Sequence, residues 1–225
     1  MTLLSLLFQC THLANYQQYR PNALDHTLIT IFFAVGTIGI ALPDYRDALV
    51  RLSSFHLLLT FIVLYYSRKD KKEKFFLFAF LIFVLGILVE SIGTNTGILF
   101  GDYKYGVTLG AKVFGVSLII GVNWATMVVC SSTLVHRLKL KLIWRSVLAA
   151  VLMTSLDFLI EPVAIKLNFW SWAGGEIPIY NYICWFVISL PMHYFYMKWN
   201  LAENNSVPKA VFVLLAIFFL VLNFV

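Results

Sequence analysis

Residues 75–106 read FFLFAFLIFVLGILVESIGTNTGILFGDYKYG. The stretch up to Val89 is apolar without interruption, and it then ends on a carboxylate, Glu90. Glycines, threonines, an asparagine and two tyrosines follow. An ordinary loop behind a membrane span would look like this, and so would a site built where a span meets the membrane edge.

The composition settles the first half of that choice. Of 225 residues, 60% are hydrophobic and 16% aromatic, and only 12% are charged, against roughly 25% charged in soluble domains. These values predict an all-α integral membrane protein, a single polytopic domain over residues 1–225. The net charge of +6 reports topology rather than a nucleic-acid partner, because no Lys/Arg run is interleaved with aromatics. Cys10, Cys130 and Cys184 share no metal-ligand or CxxC spacing, so they read as free thiols and no metal site is expected. Residues 1–26 lack the basic start of a signal peptide and read as an interfacial segment.

Seven apolar runs are long enough to cross a hydrocarbon core about 30 Å thick. They cover approximately 27–43, 47–66, 74–93, 112–135, 143–161, 179–197 and 209–225. Pro43 closes the first, Pro162 follows the fifth and Pro208 precedes the seventh. Basic residues concentrate on one side of this bundle. Arg20, Arg68, Lys69, Lys71, Lys72, Lys74, Arg137, Lys139, Lys141, Arg145, Lys198 and Lys209 make 12 of the 17. Arg46, Arg51, Lys104, Lys112 and Lys166 fall on the other. The positive-inside rule then places the N-terminus in the cytoplasm and the C-terminus outside, with residues 90–106 on the outer side.

Ionisable residues inside spans each cost at least about 2.5–3.5 kcal/mol at mid-depth and mark function by default. Asp157 and Glu161, four apart in the fifth run, share one helix face. Two charges there would repel, so one of the pair is expected to keep its proton, as a general acid must. The alternative is a structural pair, with Glu161 snorkelling to the interface and Asp157 matched to a cation. Glu90 is either part of the same site or an interfacial residue paired with Arg51. Gly93, Gly97 and Gly101 form a tandem GxxxG, which in membranes usually means helix packing. Asn123, beside Trp124, reads as interhelical glue or as a ligand. Asn181, Trp185, Ser189 and His193 recur every fourth position, an inward-facing stripe. His56 reads as a satisfied core histidine. Tyr103, Tyr105, Trp170, Trp172 and Tyr180 are either an interfacial aromatic belt or part of the site.

Depth orders these residues. Glu90, Asp102, Asp157, Glu161 and Asn181 fall in the outer half or at its rim, and the inner half holds little beyond His193 and hydroxyls. A transporter needs polar groups along its whole path. A one-sided pocket of carboxylates and aromatics fits a catalytic or binding cavity open to lipid and interfacial water.

Four blocks carry a resemblance: residues 90–106, GVSLIIGVNWATMVV at 115–129, DFLIEPVAIKLNFWSW at 157–172 and IPIYNYICWF at 177–186. In order, they resemble the membrane carotenoid-biosynthesis family of CruF-type carotenoid hydratases and bisanhydrobacterioruberin hydratases. The resemblance covers about residues 75–195, the core motif region. It implies addition of water to the terminal isopropylidene double bond of an acyclic carotenoid, giving a tertiary alcohol without a cofactor. It also implies a bacterial or archaeal cell membrane, a lycopene-like polyene and water as substrates, the lipid bilayer as surroundings, and association with other carotenoid-pathway membrane enzymes. The matching positions in this chain include Glu90, Asp157 and Glu161, and the catalytic role of these three rests on the chemistry of carboxyls buried in apolar runs rather than on the resemblance. Asn123, Trp124, Tyr103, Tyr105, Trp170, Trp172, Asn181 and Trp185 would bind substrate. The family pattern often has aspartate where this chain has Glu161, which keeps the charge and changes its reach.

A carotenoid end-group cyclase would start from the same protonation and exclude water, and the sequence does not separate the two. A proton-coupled transporter is opposed by the apolar inner half. A retinal-binding sensor is opposed by the last run, VFVLLAIFFLVLNFV, which has no lysine for a Schiff base. The charge distribution predicts that, in a background free of native cysteines, a cysteine at position 70 reacts with an impermeant reagent only from the cytoplasmic side. One at position 102 should react only from outside, and the opposite labelling would invert the topology.

Overall fold

The apolar runs become helices that shuttle between two chemically different ends. The computed structural model describes residues 21–225, so Cys10, Arg20 and most of the expected interfacial segment lie outside the described residues. Residues 21–26 of that segment are instead the opening turns of a helix. In chain order the helices are α1 (Pro21–Ala41), α2 (Pro43–Arg51), α3 (Ser53–Tyr66), α4 (Lys72–Thr96), α5 (Ile119–Val135), α6 (Leu142–Lys166), α7 (Ile179–Lys198) and α8 (Val207–Asn223). Four short strands interrupt them: β1 (Tyr103–Tyr105), β2 (Lys112–Val113), β3 (Val116–Ser117) and β4 (Trp170–Trp172). The described chain is thus helical but not purely so.

Three departures from expectation have local causes. The second run is broken at Leu52, and α2 and α3 meet at 59°. With Asp44, Arg46, Asp47 and Arg51 in nine residues, α2 is too polar for hydrocarbon. The fourth run starts as a helix only at Ile119, because residues 112–117 form the β2–β3 hairpin, turning at Phe114 and Gly115, both at positive φ. The fifth run does not stop at Pro162; α6 carries that proline inside it and continues to Lys166.

Among the described residues, α1, α4 and α6 are each long and apolar enough to cross a membrane, and the bent α2–α3 pair makes a fourth candidate. The apolar helices α5 and α8 are shorter, at 17 residues each. Polar residues Asn181, Ser189 and His193 interrupt α7, and all three are buried. The hub is α5, buried on nearly every face from Trp124 to Val135 and packed against α3, α4, α6, α7 and α8. Small hydroxyl residues at Ser131, Ser132 and Thr133 let its neighbours approach closely. Cys130 and Cys184 are buried free thiols. His56 lies edge-on to Phe33, and among the described residues its Nε2 finds no partner, where a satisfied histidine was expected.

One end of the bundle carries the basic connections. There Arg68 pairs with Glu203 at 2.7 Å, and Asn205 Nδ2 donates to Ser67 Oγ at 2.9 Å, tying the α3–α4 and α7–α8 connections together. At the other end β1 and β4 pair antiparallel, with Tyr103 opposite Trp172 and Tyr105 opposite Trp170. Strand alternation puts these four aromatics on one face and Lys104 and Ser171 on the other. The glycines at 93, 97 and 101 do not form a helix-packing seam. Gly97 ends α4 in the left-handed conformation, φ +67°, with its N–H bonded to the Gly93 carbonyl. That stop lets the chain turn back so that β1 can reach over the end of α4.

Gly106 holds this arrangement in register. Its N–H donates to the Phe169 carbonyl at 2.8 Å, and a Cβ there would sit 2.1 Å from the Asn168 carbonyl oxygen. Gly106→Ala must therefore separate the two connections. An overpacking cost of about 1–3 kcal/mol should lower the thermal midpoint in detergent and change the near-ultraviolet dichroism of the aromatic face. A wild-type midpoint and spectrum would show that the contact is not needed.

Candidate active site

Three carboxylic side chains from two helices face one cavity. Glu90 comes from the C-terminal part of α4, and Asp157 and Glu161 from successive turns of α6. They are 3%, 1% and 2% exposed. No described lysine or arginine forms an ion pair with any of them, and Arg51 does not reach Glu90. Buried charge without a counter-ion must be satisfied by neutral donors, and each carboxyl is met by a different number of them.

Glu90 receives three. Tyr103 and Tyr105 both donate their hydroxyls to Oε2, the second at 2.8 Å, and Trp124 Nε1 donates to Oε1 at 3.0 Å. Burial, with the Glu90 carboxylate beside them, pushes both phenols well above the usual tyrosine range, so they remain donors. Glu161 also receives three. Trp170 Nε1 and Trp172 Nε1 each reach Oε2 at 2.9 Å, and Asn181 Nδ2 reaches Oε1 at 3.3 Å. Among the described residues, Asp157 accepts only from Asn181 Nδ2, at 3.2 Å on Oδ2. Asn181 thus links the two α6 carboxyls, while β1 serves Glu90 and β4 serves Glu161.

Aromatic rings form the walls. Trp124 and Trp185 stack at 4.1 Å with planes 5° apart, and Trp172 lies 4.9 Å from Tyr103. Phe100 closes a side near Trp185 at 6.1 Å. It is a bulky residue at φ +66°, a strained position, with its N–H on Cys184 Sγ. The open space is only about 20 Å³, room for about one water. Asn123 lines it, with its amide against Met127 Sδ.

All eleven residues expected at the site are therefore close together. Ten of them line the cavity directly, and Trp124 backs it by holding Glu90 and stacking on Trp185. Tyr103, Tyr105 and Trp172 are buried and aimed inward, and half-buried Trp170 joins them, so these four are not an outward belt. Tyr180 is exposed and donates to the Ile98 carbonyl. Asp102 is exposed outside the cavity. Ser189 and His193 lie deeper, where His193 Nδ1 meets Ser132 Oγ at 2.8 Å. Phe100, Ile120 and Ile160 were missed. Apolar wall residues carry no chemical signal in an apolar sequence.

A family model described as carotenoid biosynthesis protein matches residues 51–225, more than three quarters of the chain. The chain belongs to this carotenoid biosynthesis protein family. The match takes in every helix from α3 onward and the whole carboxylate cavity, so membership and site concern the same part of the molecule. Neither the curated proteins nor the solved structures provide a match. For a member of a carotenoid-biosynthesis family, an apolar bundle with a buried cavity of carboxyls and aromatic rings is a setting suited to a lipid-soluble polyene.

Proposed function

We propose that this chain hydrates the terminal isopropylidene double bond of an acyclic, lycopene-like carotenoid, giving a tertiary alcohol without a cofactor. In this reading α1, the α2–α3 pair and α4 to α8 make seven crossings. The basic end lies in the cytoplasm and the cavity lies near the opposite surface. The observation that carries the proposal is the unequal satisfaction of three buried carboxyls around space for a single water.

Hydrogen bonds to a carboxylate favour its ionised form. Glu90 and Glu161, each with three donors, are built as carboxylates, and Asp157, with one, is the natural carrier of a proton. Asp157 transfers that proton to the CH carbon of the isopropylidene group. The double-bond electrons form the new C–H bond and leave a tertiary cation on the carbon bearing the two methyls. Ring faces can stabilise such a cation by about 0.5–2 kcal/mol each, and the surrounding indoles and phenols supply them. The cavity water, oriented by Glu90 and Glu161, adds its oxygen to the cation. Its spare proton goes to Glu161 and returns to Asp157 one helical turn away. The sum is addition of one water, with no change of oxidation state.

Expressed in a lycopene-producing host, the chain should yield pigment heavier by one water per modified end, with the hydroxyl labelled from heavy-oxygen water. Loss of a general acid typically costs about 10²–10⁴ in rate, so Asp157→Asn should give no detectable product. Glu161→Gln should retain a fraction of activity, at equal protein level in the membrane. Label from molecular oxygen would refute hydration. A product of unchanged mass with a shortened chromophore would mean cyclisation, and an active Asp157→Asn would reassign the donor.

A further inference from the structure

The carboxylate cavity is too small to hold the length of a polyene, yet a second, wholly apolar space begins beside it. This groove lies between α4 and α7, which flank α5 without an extensive direct interface. Its volume is about 430 Å³. One wall is the α4 stripe Phe78, Leu81, Leu85 and Val89. The other runs along α7 from Ile188 past Pro191 to Trp199. No ionisable side chain lines it. Leu81 and Leu85 on one wall and Phe195 and Trp199 on the other are all exposed, so the groove opens sideways, towards what would be lipid in a bilayer.

Its two ends differ. At the basic end Phe78 packs on Tyr196 and Trp199, with centroids 5.3 and 5.9 Å apart, and closes the groove. At the other end Val89 is the neighbour of Glu90, and Ile188 lies one turn from Trp185, which lines the carboxylate cavity. Each wall spans twelve residues, about 16 Å end to end at a rise of 1.5 Å per residue, roughly half a hydrocarbon core.

We infer that the α4–α7 groove holds the polyene chain of the substrate. The chain would lie along the helices and present its end group to Glu90, Asp157 and Glu161 past Trp185 and Phe100. This inference rests on the hydratase reading for what happens at the end group, and on groove geometry for where the chain lies. A straight, rigid conjugated chain freezes few rotors on docking in a straight groove, whereas an acyl chain would lose many. Lateral access also keeps the polyene out of water throughout. This would account for the apolar lining of the groove, since only the end group needs chemistry.

Binding can be read without turnover. The full chain in lipid nanodiscs containing lycopene should induce visible circular dichroism in the polyene. Asp157→Asn should keep that signal. Leu85→Trp and Ile188→Trp, one on each wall and neither a carboxylate neighbour in the cavity, should weaken binding at least tenfold. Phe80→Trp, on the exposed face of α4 turned away from the groove, should bind as wild type and controls for an added indole. Helix content and monodispersity of each variant check folding, and the two walls provide independent tests. Wild-type dichroism in both groove variants would overturn the assignment. So would its absence in the wild-type chain, which would mean that lipid acyl chains alone occupy the groove. Dichroism lost in the groove variants, in a wild-type chain that adds no water, would establish the groove and refute hydration.

Discussion

Three carboxyl groups sit in an apolar bundle, and no cation among the described residues pairs with them. Desolvating even one ionised carboxylate costs several kcal/mol, so this constraint shapes everything near the site. Lysine or arginine could meet it by pairing, but pairing would quench the acid chemistry. Neutral donors meet it here. Tyrosine hydroxyls and indole N–H groups can donate to a carboxylate without neutralising it, and their rings remain available as apolar walls. The price is geometric: four of the six donors come from outside the helices, on a backbone that alternates sides. That is the use of the β1–β4 pair, whose only large inward side chains are the four aromatics serving Glu90 and Glu161.

The same constraint separates the roles proposed for the carboxyls. Asp157 and Glu161 occupy one face of one helix, with nearly equal burial, and differ in their donors. Two similar groups in contrasting environments are what acid–base chemistry at one site needs. Asn181 stands between them, and through a single amide it holds both side chains at hydrogen-bonding reach. Family membership points to carotenoid biosynthesis, the cavity has room for a water, and the proposed reaction joins the two.

Much of this was legible in the sequence, for definite reasons. Long apolar runs can only be satisfied as helices in lipid, and Glu90, Asp157 and Glu161 stood out because an ionisable residue in such a run is costly. What escaped was set by tertiary pairing. Tyr-Lys-Tyr and Trp-Ser-Trp alternate with the period of a strand, but each is three residues long and separated from its partner by more than sixty. The GxxxG spacing at Gly93, Gly97 and Gly101 suggested helix packing, and the structure uses it for a helix end and a turn. Pro162 suggested a stop, yet α6 runs through it, since neighbouring helices can bear the cost of a lost hydrogen bond inside a bundle. The groove between α4 and α7 left no mark, because apolar residues facing a groove read like those facing lipid.

A proton resident on Asp157, and not on its better-served neighbours, is the point on which the chemistry turns. Infrared spectroscopy of the resting chain in bilayers reads it directly, through the carbonyl stretch of a protonated carboxyl and its shift in heavy water. That band should be present in the wild-type chain, persist in Glu90→Gln and Glu161→Gln, and vanish in Asp157→Asn. A wild-type chain without the band, or a band that vanishes in Glu90→Gln and survives in Asp157→Asn, would contradict it.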